Sequence, residues 1–276
     1  MLSFIYLKLC QREPNIFSEL IAHAIRHLCN RSLKCVPSSL VVLFAEFLTP
    51  RKGRCVEFIF MLTHHDVTIP NALEVFEEVK DSGLKCIGCK DIGLSLEQYR
   101  DLFRRIRKSG LQSFLEVVTY SETEHFKGVD LAITLEADNL IGGMPEYTEK
   151  TAQYLKTRKA KTRFYPYIGT VTGHPCILSG ETDKIIEQGK RSESLGIDGI
   201  NLLLYRYTGN QEHLLKSVKR LTVPVIVAGN VVDFRQIHEL NQNRIWGFTI
   251  GGAIMEKKFL QNESIRAQVE AVLHHI

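Results

Sequence analysis

From Val56 onward, short apolar runs alternate with amphipathic stretches through eight rounds, and that count leaves few folds open. The runs are residues 57–62, 84–90, 113–118, 139–141, 163–167, 199–205, 224–227 and 247–250. Helical spacing follows them at 72–81, from Ser95 to Lys108, from Ser121 to Glu136, then at 147–158, 182–195, 211–220, 233–241 and 263–274. Ser95 with Gln98 spells a capping box, and Ser121 is a cap for the next helix, in which Gly128 leaves a break open. Ser82-Gly83, Ser109-Gly110 and Gly196 mark helix ends. Eight strand–helix rounds in about 220 residues match one closed (β/α)8 barrel, a TIM barrel. An open doubly wound sheet seldom needs eight parallel strands and carries its glycine loop after the first strand. Here the first strand ends in Thr63-His64-His65-Asp66, without glycine.

Residues 1–55 stand outside the pattern as an N-terminal extension, with the barrel at 56–276. Residues 18–28 have helical spacing, and 39–48 read as strand or helix. The expectation is a partly helical or disordered segment, packed on the barrel or serving regulation or partner binding. It holds eight Lys/Arg against three acids, whereas the remaining 27 basic and 28 acidic residues nearly cancel. A near-neutral barrel lacks the concentrated basic face that nucleic acid requires. No apolar run approaches the roughly 20 residues of a membrane span, and the first run lacks the basic leader of a signal peptide. Seven scattered cysteines, an odd number, are expected as reduced thiols in a cytoplasmic protein. A homo-oligomer is left open.

The last two rounds are the most specific. Residues 223–230 form an apolar run that stops at Gly229-Asn230, and residues 246–253 repeat the design, stopping at Gly251-Gly252. Two neighbouring strands that each end in a glycine turn place bare N–H groups side by side. Barrels of this kind hold phosphate on the loops after their last two strands. The expected donors are the amides of Gly229, Asn230, Gly251 and Gly252, helped by Ala253; the alternative is that the glycines only make tight turns.

Catalytic groups are sought at the C-terminal ends of strands. Lys90 shares a strand face with Gly88 and Cys86, whose small side chains leave room for it inside the barrel mouth. Burial would lower its pKa and suit it as a base or Schiff-base nucleophile. Glu116, between apolar neighbours, needs a partner, and Lys90 on the next strand is the obvious one. The pair is either a proton shuttle beside a carbonyl or a structural ion pair. Asp66 is a site acid or a turn stabiliser, and one of His64 and His65 faces the site; adjacent histidines diverge in an extended chain, so no metal is expected. His174 in the longest loop, Arg206 and Asn201 are candidate substrate contacts. Cys86 and Cys89 spell C-x-x-C, but within a strand they face opposite ways and read as core. No Ser/His/Asp order, P-loop or dinucleotide fingerprint occurs.

The closing segment 223–255 resembles the last two units of the ribulose-phosphate-binding barrel superfamily. That group includes the histidine-biosynthesis isomerase barrels, the N-acylmannosamine-6-phosphate epimerases and small sugar-phosphate aldolases and decarboxylases. Ile250-Gly-Gly-Ala-Ile254 is similar to the eighth-strand phosphate turn of the epimerases. The aspartate pair of the histidine-pathway isomerases and the Asp-x-Lys-x-x-Asp array of the decarboxylases are absent. The resemblance implies a phosphorylated small-molecule substrate and leaves the reaction open. The leading expectation is an isomerase, epimerase or aldolase-type lyase acting on a small sugar phosphate or sugar-acid phosphate, without a cofactor. The alternatives are an FMN oxidoreductase and a non-catalytic barrel that binds a phosphorylated ligand.

Overall fold

The computed structural model describes residues 56–119, 121–173, 175–243 and 245–276. The expectations for residues 1–55 and for His174 lie outside them.

Eight parallel strands make the barrel: β1 (Glu57–Met61), β4 (Cys86–Lys90), β5 (Gln112–Val117), β6 (Asn139–Gly142), β7 (Arg163–Tyr165), β10 (Ile200–Leu202), β11 (Val225–Val227) and β12 (Gly247–Ile250). Two antiparallel hairpins stand on loops at the mouth: β2 (Thr63–His64) with β3 (Val67–Thr68), and β8 (Thr170–Thr172) with β9 (Ile177–Ser179). The sheet order is β10-β11-β12-β1-β4-β5-β6-β7. The seam between β7 and β10 nearly closes the ring, through Asp198 N–H donating to Phe164 O (3.0 Å) and Asn201 N–H to Pro166 O (2.8 Å).

The helices are α1 (Ala72–Val79), α2 (Leu96–Lys108), α3 (Glu122–Thr134), α4 (Thr148–Thr157), α5 (Thr182–Ser194), α6 (Gln211–Ser217), α7 (Phe234–Gln242), the single turn α8 (Gly252–Met255) and α9 (Ile265–His274). Their starts follow local chemistry. Ser95 accepts from Gln98 N–H while the Gln98 side chain accepts from Ser95 N–H, and Ser121 accepts from Glu124 N–H.

Strand alternation splits the apolar residues into two bodies. Ile59, Met61, Cys86, Phe114, Ile141, Tyr165 and Ile226 fill the barrel interior. Phe58, Phe60, Ile87, Cys89, Leu115, Leu140 and Phe164, on the opposite phase of the same strands, face the helical layer. Cys86 and Cys89 therefore lie on opposite sides of β4 as buried thiols, and burial pushes the Cys86 thiol up to about 12.

Local departures from the sequence expectations have clear causes. The apolar run 199–205 is strand only over Ile200–Leu202; Leu204–Arg206 is a 3-10 turn, which an unbroken apolar stretch does not distinguish from strand. Helix α3 runs through Gly128 without a break. A Cβ there would lie 2.6 Å from Asp91 Oδ2 and 2.7 Å from Val117 Cγ2, so the glycine allows close helix–sheet approach. The loops read at 63–71 and 168–180 contain the two hairpins, whose strands of two or three residues are too short to show a period. In the second of these loops Gly169 has φ +87° with its N–H bonded to the Gln188 side chain.

Candidate active site

One cavity of about 260 Å³ opens at the C-terminal ends of the barrel strands. It is lined by His64, His65 and Asp66 from the first hairpin, Lys90, Glu116, Tyr167, Arg206, and both glycine turns. Of the expected site residues, only Asn201 is described away from its walls. It is fully buried, and neither polar atom of its side chain has a hydrogen-bond partner among the described residues.

The lysine end is built from four interlocked side chains. Cross-strand register sets Lys90 directly opposite Glu116. The lysine backbone is pinned: Thr68 Oγ1 bonds to both its carbonyl (2.8 Å) and its N–H (3.0 Å), and the Tyr99 hydroxyl donates to the same carbonyl at 2.7 Å. Lys90 Nζ donates to Asp66 Oδ1 at 2.7 Å and stands 4.0 Å from Glu116 Oε2. The Tyr167 hydroxyl, buried, donates to Glu116 Oε1 at 2.6 Å. Among the described residues Oε2 accepts no hydrogen bond, so it is the open face of this carboxylate.

The expectation of a depressed lysine pKa is corrected. Burial pulls Lys90 down, but Glu116 and Asp66 more than offset it, and Lys90 stands above the ordinary lysine range. It is an ammonium at neutral pH. The expected partner Glu116 is close, yet the hydrogen bond goes to Asp66, from a turn that the sequence left ambiguous. Asp66 and the preceding His65 both have positive φ (62° and 48°), the turn geometry that two-residue hairpins require and that residues with a Cβ adopt at some cost. The same turn corrects the expected divergence of the histidines: the His64 and His65 rings lie 3.7 Å apart. Among the described residues no cluster of three or more metal-ligating side chains occurs. Asp91, next to Lys90, lies beside Gly128 of α3, where burial first and then Glu116 raise its carboxyl to about 6.

The glycine end is made of backbone. Gly229 and Asn230 have φ of 78° and 65°. A side chain at Gly251 would collide with Thr63 Oγ1 and come within 3.0 Å of Met61 O. Among the described residues the amides of Gly229, Asn230, Gly251, Gly252 and Ala253 donate to no backbone carbonyl. Arg206 packs on the first turn, where a Cβ at Gly229 would be 2.9 Å from its Nε, and its guanidinium has no hydrogen bond or ion pair among the described residues. At the rim His64 Nε2 is 3.4 Å from Glu256 Oε1 without hydrogen-bond alignment, and Lys258 Nζ holds Glu256 Oε2 at 2.9 Å.

Sequence reading did not single out Tyr167, Glu256 or Lys258. Tyr167 carried a usable signal: it repeats the inward phase of Tyr165 two residues on. Glu256 and Lys258 reach the rim through α8, a single turn without periodicity.

No protein-family model matches this chain, and no curated relative matches it by sequence. Similar solved structures are numerous. A structure described as native KDPGal is 12% identical with a TM-score of 0.52, over 80% of this chain and 93% of that one. The N-acetylmannosamine-6-phosphate 2-epimerase of Clostridium perfringens is 15% identical with a TM-score of 0.52, over 74% and 91%. A protein from Aquifex aeolicus VF5 is 15% identical with a TM-score of 0.58, over 84% and 97%. At these identities the likeness is one of fold: the chain is a (β/α)8 barrel, as its eight strand–helix rounds implied.

Proposed function

We propose that the cavity binds a small phosphorylated sugar or sugar acid and moves a proton on the carbon beside its carbonyl. One observation carries this reading. An ammonium beside an open carboxylate oxygen shares a cavity with a guanidinium and main-chain amides that have no partner among the described residues. The amides and Arg206 supply the donors and charge that a phosphate dianion recruits. Lys90, held as a cation, polarises the carbonyl and stabilises the negative charge that develops on its oxygen. Glu116 Oε2 takes the proton from the adjacent carbon and returns it. One of the similar structures named above is by its name an epimerase of a sugar 6-phosphate, which agrees with this substrate class. A Schiff base would need Lys90 to lose its proton between two carboxylates, so simple proton transfer is favoured over aldol cleavage.

The test is hydrogen–deuterium exchange in D2O, followed by proton NMR. The substrates are ribulose 5-phosphate, fructose 6-phosphate, N-acetylmannosamine 6-phosphate and a 2-keto-3-deoxy-6-phosphohexonate. Wild-type protein is expected to exchange the proton beside the carbonyl of at least one, and not that of its dephosphorylated form. Absence of exchange from all four overturns the reading, as does equal exchange without phosphate. Borohydride is expected to trap no adduct on Lys90, and a trapped adduct moves the assignment to the aldolase. A yellow purified protein would replace the reading with a flavin one.

A further inference from the structure

We infer that Tyr167 is a positioning residue for Glu116, fixing which carboxylate oxygen is presented to the substrate; this rests on the proton-transfer reading above. Tyr167 stands just past β7, at the seam where the barrel closes against Asn201 of β10. Its hydroxyl meets Glu116 Oε1 at 2.6 Å in a buried setting. Gly142, at φ +82°, presents bare backbone to the pair: a Cβ there would lie 3.3 Å from the Tyr167 ring and 3.4 Å from Glu116 Cγ.

The consequence is geometric. A carboxylate beside an ammonium ordinarily turns to form a hydrogen bond with it. Here Nζ and Oε2 stay 4.0 Å apart, because Tyr167 holds the other oxygen and Asp66 holds the lysine. Glu116 thus keeps one lone-pair face open instead of spending it on Lys90. Burial first, then the Glu116 charge, keep the Tyr167 hydroxyl protonated well above the ordinary tyrosine range, so it remains a donor. Without that hydroxyl, Glu116 is free to swing onto Lys90, which removes the base and quenches the cation in one movement.

The experiment combines two readouts on the full chain. Tyrosine is labelled with ¹³C at Cζ, and the resonance missing in Tyr167→Phe assigns Tyr167. It is expected to shift in Glu116→Gln, which weakens the charged acceptor. Exchange kinetics are then measured on whichever carbonyl phosphate the wild type exchanges. Tyr167→Phe is expected to lower kcat about 10²-fold, the scale of a misplaced catalytic group, with KM within about twofold. The loss should be far from additive with Glu116→Gln. Tyr165→Phe, an interior tyrosine without a role in the site, controls for the loss of a buried hydroxyl and should exchange at the wild-type rate. An unmoved resonance in Glu116→Gln overturns the inference, and so does a Tyr167→Phe rate within twofold of wild type. If the wild type exchanges none of the substrates, the proton-transfer reading itself has failed and the inference falls with it.

Discussion

The two ends of the cavity are built on opposite plans. The lysine end is side chain against side chain, with Lys90, Asp66, Glu116 and Tyr167 each held by another member of the set. The glycine end is nearly bare main chain, with Arg206 packed on it and without a partner among the described residues. Interlocked side chains fix protonation states and geometry but couple to stability, because removing one leaves a buried charge alone. A backbone cradle holds little charge of its own and waits for an anion. The difference implies that damage at the first end is felt in folding and chemistry together, and damage at the second chiefly in binding.

The largest effect expected is from Lys90→Met. It removes the ammonium that stands beside both Asp66 Oδ1 and Glu116 Oε2. Loss of about 3–5 kcal/mol of stability by denaturant melts is expected, with exchange activity down at least about 10²-fold. Retained stability would break the comparison at its root.

Behind the lysine end, two buried groups give opposing acid responses. His125 on α3 bonds Thr151 through Nε2 (2.7 Å), and burial lowers it to about 4. The folded state therefore resists taking up its proton, and stability falls as pH drops from the unfolded value near 6.5 towards 4. Asp91, raised to about 6, favours the protonated form when folded, so it adds stability as pH falls from 6 towards 4. Each is worth about 3 kcal/mol, and in the wild type they largely cancel. Asp91→Asn is expected to expose the histidine's acid sensitivity, measured as melting temperature from pH 7 to 4. A flat profile in that variant would remove the linkage.

At the glycine end, Gly251→Ala forces a methyl onto Thr63, and a loss of about 1–3 kcal/mol is expected together with weaker binding of inorganic phosphate. The smallest effect sharpens the contrast most. Arg206→Met should leave the melting temperature nearly unchanged, since the guanidinium has no partner to lose among the described residues, while phosphate affinity by calorimetry drops about tenfold. A large fall in stability with intact phosphate binding would reverse the assignment.

The same contrast explains what was legible in the sequence. The glycine turns were visible because glycine takes the left-handed backbone of Gly229 and the close contacts at Gly251 without a Cβ in the way, so residue type reports geometry there directly. The eight strands were visible through period and punctuation; β12 was read at its observed bounds, 247–250, and the others to within a few residues. Lys90 and Glu116 stood out as charges inside apolar strands. Their true wiring was hidden, because it depends on register and on a two-residue hairpin. Asp66 reaches Lys90 only because His65 and Asp66 take left-handed backbone, which neither residue announces. The sign of the lysine's pKa followed from that unseen carboxylate: burial alone argued downward, and two acids argued upward.

The Asp66 turn carries one more consequence. The barrel strands are committed to the core, so their inward residues are exchanged only at the expense of packing. A turn of two residues standing above the mouth is under no such obligation. The partner of the central cation is thus mounted on the most replaceable piece of chain in the site. Different occupants of that perch would give descendants of this scaffold different proton inventories over an unchanged frame.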